Sequence, residues 1–181
     1  MKHLHGAVAL AAIAFFFGEA HAITVVGTTL GGPTWTRPQA GTPPTSISGV
    51  GIGVNYSVTP FFVSAAGSYI FQSTATTPAG WDNFTFLYLN TFNPLSQFTN
   101  VLVGNDDNPS IGLSGFTRAL TADTQYQFIT TGYEPGDAGA WSLDITGPGN
   151  ITIGVVPEPA SYAMMALGLA GLLAARRFRA S

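Results

Sequence analysis

The chain has no cysteine, and its three histidines (His3, His5, His21) and single lysine (Lys2) all fall within the first 21 residues. From Ile23 onward no imidazole, thiol or lysine amine remains. That excludes a Ser-His-Asp triad, a Cys-His pair and a Schiff-base lysine. It also excludes imidazole or thiolate sites for zinc or copper. Without cysteine no disulfide can staple the fold, so its core must suffice. Charge is scarce as well, with only 8% of residues Asp, Glu, Lys or Arg. Between Ile23 and Glu158 two basic residues, Arg37 and Arg118, face eight acidic ones, a balance of −6. Such a surface repels phosphate backbones, so the sequence predicts no nucleic-acid partner. A hydrolase could still use two carboxylates. However, Asp82, Asp106, Asp107 and Asp137 all sit in turn-like contexts with no pair set apart. The chain therefore reads as non-enzymatic.

Both ends carry long apolar runs. At the N-terminus Lys2 precedes an unbroken apolar stretch, Ala7 to Phe17, and then Ala20-His21-Ala22. A positive start, a short apolar segment and an A-x-A site make residues 1–22 a signal peptide cut by signal peptidase. At the C-terminus Pro157-Glu158-Pro159 precedes an apolar stretch, 160–175, and a basic tail, 176–181, with Arg176, Arg177 and Arg179. As a helix, 160–175 spans roughly 24 Å against a hydrocarbon core of about 30 Å, a marginal transmembrane length suited to a temporary anchor. The arginines favour the cytoplasmic side and leave everything before Pro157 outside. The prolines fix a break just before the membrane.

Motif, apolar helix and basic end, in that order at 157–181, resemble the PEP-CTERM sorting signal of bacterial exported proteins. The resemblance implies an exosortase-type sorting enzyme as a partner. It also implies transient residence in the inner membrane, and a cell-surface or extracellular destination after processing.

The body, 23–156, is the size of a single domain. Val50 to Val58 and Trp141 to Thr146 alternate apolar and polar with period two. Phe84 to Leu89 is apolar on both faces, as a central strand is. Tyr69 to Thr74, Gln125 to Thr131 and Ile151 to Val155 also read as strands. Turn clusters separate them at 78–80, 104–109, 135–137 and 147–149. The stretch 31–45, with four prolines, reads as a loop or loosely held arm. The fold class is all-β, a single jelly-roll-like β-sandwich between the cleaved signal peptide and the C-terminal transmembrane helix. A weak echo relates Val63 to Ala79 and Leu120 to Gly136, and is accounted for by two strand pairs under similar constraints. About 59–146 is similar to the bacterial pre-peptidase C-terminal domain, on Gly67-x-Tyr69-x-Phe71, the FTFLYL strand, the Asn-Asp-Asp-Asn loop and the closing WSLDI strand. That resemblance implies a small accessory β-sandwich, although no catalytic domain accompanies it here.

Two sites stand out in the body. Asn105-Asp106-Asp107-Asn108, with Asp82 or Asp137, offers oxygen ligands of the kind calcium takes. Asp82, Asp106 and Asp107 are the expected ligands, although the spacing is not that of an EF-hand and Asn and Asp also favour plain turns. No other cofactor is expected. Trp35, Trp81 and Trp141, with Tyr56, Tyr88 and Tyr133, could offer stacking faces to a glycan; Trp141 alternates with polar residues as a core residue does, and Trp81, opening a strand beside Asp82 and Asn83, is the better candidate. The expected role is a surface or extracellular-matrix protein associated with exopolysaccharide or biofilm. The alternative is a membrane-anchored module that binds glycan or calcium.

Overall fold

A computed structural model of the chain describes residues 20–155. The signal-peptide residues before Ala20 and the sorting segment after Val155, with its expected helix, lie outside the described residues. Among the described residues no helix is long and apolar enough to cross a membrane.

Ten strands form two sheets: β1 (His21–Thr28), β2 (Thr34–Pro38), β3 (Ile47–Val63), β4 (Gly67–Thr77), β5 (Asn83–Leu89), β6 (Val101–Asn105), β7 (Leu113–Leu120), β8 (Tyr126–Gly132), β9 (Ala140–Gly147) and β10 (Ile151–Ile153). One sheet runs β1-β9-β4-β7; the other runs β10-β3-β8-β5-β6, with β2 paired to the first half of β3. Among the described residues these strands pair antiparallel. The all-β sandwich follows the sequence pattern, and each predicted strand lies in or overlaps an observed one.

Alternation explains the packing. In β4, Tyr69, Phe71 and Ser73 point inward and are fully buried. In β9, Trp141, Leu143 and Ile145 do the same. With Phe61, Leu87 and Phe128 from the facing sheet they fill the space between the layers. Tyr69 is pinned at one end: its hydroxyl donates to the Ala65 carbonyl at 2.8 Å and accepts from the Gly149 N–H at 3.1 Å. A side chain at Gly147 would run into the Tyr69 ring, so a glycine is required there.

A second core covers the outer face of the larger sheet, where Trp35, Val54, Tyr56, Phe84, Phe86, Tyr88 and Ile129 cluster. This accounts for the two-faced β5. Phe84, Phe86 and Tyr88 enter the second core, and Leu87 enters the first.

The 31–45 segment departs from the expected loose arm. Part of it is β2, whose Trp35 and Arg37 are 4% and 1% exposed. The physical reason is that Trp35 supplies the lid of the second core and anchors it by donating Nε1–H to Thr131 Oγ1 at 3.0 Å. Pro33 precedes the strand and Pro38 ends it, while Pro43 and Pro44 lie in the connection to β3. Strand β1 starts at His21, ahead of the expected domain start at Ile23, because His21 and Ala22 continue its ladder opposite Gly147 and Thr146.

Candidate functional site

Antiparallel pairing brings distant acids together. Thr85 of β5 lies opposite Asn105 of β6. Asp82, just before β5, and Asp106 and Asp107, just after β6, therefore meet at one end of the sheet. Carboxylate oxygens of the three lie within 4.8 Å of one another. Asp82 and Asp106 are half-buried and Asp107 is exposed. Asp82 Oδ1 and Asp106 Oδ1 are both shielded from solvent and have no hydrogen-bond partner.

The electrostatics follow from that geometry. Burial, followed by repulsion from Asp106, Asp107 and Asp137, pushes the Asp82 carboxyl up to about 6, against the pull of Arg37. Burial and then Asp107 also raise Asp106, again opposed by Arg37. Arg37 is the buried counter-charge. Its Nη2 and Nε donate to the Tyr133 carbonyl at 2.7 and 3.1 Å, Nε also reaches the Gly132 carbonyl at 3.2 Å, and Nη1 donates to the Pro38 carbonyl at 3.0 Å. The guanidinium lies 4.0 Å from the Phe84 ring centre and 5.0 Å from that of Tyr133. Burial lowers the Arg37 pKa, while the acids around it work to raise it. Three carboxylates against one fixed cation leave an excess of negative charge in a partly dry setting. Hard oxygen donors with spare lone pairs are the donor set calcium takes.

The other sequence candidates divide. Asn105 and Asn108 are occupied in holding β7: Asn105 Oδ1 accepts from the Gly115 N–H at 3.0 Å, and Asn108 Nδ2 donates to the Gly115 carbonyl at 3.1 Å. Asp137 closes its own turn by accepting from the Glu134 N–H at 3.1 Å. Trp81 is 6% exposed, packs in the inter-sheet core and donates Nε1–H to the Ala140 carbonyl at 2.9 Å. It presents no open face to a sugar; its ring serves the inter-sheet core. Tyr133, one of the aromatic residues named from the sequence as a possible stacking face, lies beside Arg37. Arg37 itself was not singled out from the sequence, although the alternation Trp35-x-Arg37 is that of a strand with both side chains on one face.

The last described strand, β10, ends at Ile153, and the terminal segment begins directly after it. Residues 155–179 match the PEP-CTERM protein-sorting motif. A PEP-CTERM motif implies an exported protein that is sorted at the membrane by an exosortase. No curated protein matches the chain. Among solved structures it is similar to PliG, a periplasmic inhibitor of g-type lysozyme from Aeromonas hydrophila (10% identity, TM-score 0.36, 78% of this chain and 93% of that one). It is similar to CBM35 of Abf62 from Cellvibrio japonicus (12%, 0.36, 75% and 100%). It is also similar to the K1 cleaved adhesin domain of Lys-gingipain from Porphyromonas gingivalis (17%, 0.34, 76% and 99%). Likenesses this remote carry no argument about what this chain binds.

Proposed function

We propose that this chain is a non-enzymatic surface or extracellular-matrix protein whose β-sandwich associates with exopolysaccharide after an exosortase-type enzyme has processed its tail. The observation that carries the reading is the PEP-CTERM match at 155–179, directly after the last strand. Two further features support it. Past His21 the chain has no histidine, lysine or cysteine with which to run most nucleophilic or acid–base chemistry. The interleaved order β1-β9-β4-β7 over β3-β8-β5-β6, which we read as a jelly roll, is a rigid scaffold suited to display. The test is the intact mass of the surface form from the native host, with and without the sorting enzyme. Loss of both ends in normal cells, with the tail kept when the enzyme is absent, is the expected result. A normal-cell mass that still includes Arg176 to Ser181 would make the protein a membrane-anchored domain and remove the matrix role.

The convergence of Asp82, Asp106 and Asp107, with two buried unpartnered oxygens, favours a second reading in which the module binds calcium. Calcium titration of the purified protein checks it. A rising thermal midpoint is expected, and an unchanged one rejects the site.

A further inference from the structure

Next to the acidic cluster lies an open groove of about 400 Å³, between the β2–β3 pair and the ends of β5 and β8. Its volume falls within the roughly 300–1,000 Å³ of small-molecule sites. Arg37 and Phe84, each 1% exposed, form the floor, and the guanidinium is fixed by three backbone carbonyls. The groove is therefore preformed. Tyr133 and Asp106 supply the wall, and Gln39 and Gly49 the rim. The Tyr133 ring is held from below by Arg37.

We propose that this groove holds one ring of a neutral polysaccharide; the inference rests on the exopolysaccharide reading above and gives it a site. A fixed aromatic ring suits the C–H face of a sugar. A carboxylate and a side-chain amide suit its hydroxyls. Charge selects among sugars: the Arg37 guanidinium already donates to backbone carbonyls, and against its single charge Asp106 on the wall, with Asp82 and Asp107 close to it, leaves a net negative field that repels uronate, sulfate and phosphate groups. A second groove, of about 370 Å³ beside Ile52 and Leu95, has no charged group in its lining, and Leu95 is 88% exposed at its rim. It serves as the internal control.

The experiment uses the full-length protein in detergent, labelled and applied to an array of neutral and acidic polysaccharides in EDTA. Three forms are compared: wild type, Gly49→Tyr and Leu95→Tyr. A side chain added at Gly49 starts in open space, so it can fill the groove without touching either core. The expected result is wild-type retention on a neutral glycan, a loss of about tenfold in Gly49→Tyr and none in Leu95→Tyr, with all three melting alike. If Gly49→Tyr melts early, Gln39→Ala at the exposed rim replaces it, with a several-fold loss expected. Unchanged binding by the groove variant overturns the site while leaving the glycan association standing. A preference for acidic glycans overturns the assignment to a neutral sugar. No retention on any glycan removes the association itself, and this inference with it.

Discussion

Replacing Asp82 with asparagine keeps its shape and removes its charge, which makes it a direct probe of the acidic cluster. In the folded chain the Asp82 carboxyl is raised from 3.8 to about 6. A raised carboxyl binds its proton more readily in the folded state than in the unfolded one. Its contribution to stability is therefore complete below about pH 4 and is lost as pH climbs through 6. Undiluted, that shift is worth about 3 kcal/mol. Asp82 is only partly buried, so solvent screening brings this down to about 1–2 kcal/mol. In a domain of this size the difference is roughly 3–8 °C in Tm. Thermal melts in EDTA from pH 4 to pH 8 should show wild type losing stability relative to Asp82→Asn as pH rises. The two should be close at pH 4, with the variant more stable by that margin at pH 8. Two parallel profiles, or a variant less stable at pH 8, would refute the account of a crowded and underpaired cluster. Adding calcium at pH 8 should then raise the wild type more than the variant, because the ion supplies the charge the cluster lacks.

Three further outcomes follow from the packing and the tail. Trp81→Ala should lower stability by about 3–5 kcal/mol in a urea melt, with any drop in glycan retention no larger than the loss of folded protein. Gly147→Ala should destabilise by about 1–3 kcal/mol in the same assay, because the new methyl meets the Tyr69 ring. Replacing Pro157, Glu158 and Pro159 with alanines should leave the tail uncut, seen by mass spectrometry as full-length protein held in the membrane fraction.

The central strands of both sheets, β9 and β4 in one and β3, β8 and β5 in the other, were legible because they alternate or are continuously apolar. Phe84 to Leu89 announced a two-faced strand, and the structure supplies both cores that it fills. Strands β1, β2, β6 and β7 were harder to see. β1 overlaps the A-x-A site and has no buried residue. β2 is short and lies among prolines, and its burial depends on a partner, β3, that local pattern does not reveal. β6 has five residues and β7 has an edge position with mixed burial, so neither presents a clean period. The acids of the candidate site were nameable as residue types, but their meeting was not visible. It depends on the β5–β6 register, a long-range fact. Trp81 misled for the mirror-image reason. Polar neighbours made it look exposed, whereas the sandwich closes over its ring.

The placement of β10 determines how the molecule responds to tension. Any pull on the chain beyond Val155 reaches first Gly154, whose N–H donates to the Pro60 carbonyl at 2.8 Å, and then the three residues of β10, Ile151, Thr152 and Ile153, that are zipped to β3. None of those three is fully buried. β9, the next strand inward, is clasped along both edges by β1 and β4. Load therefore peels a short terminal strip and pays out roughly 3.3 Å of slack per freed residue, at the cost of lifting Ile151 from the margin of the inter-sheet core while the fully buried side chains stay in place. A copy held by its C-terminal end in a matrix would have a small built-in shock absorber that re-zips when the strain passes.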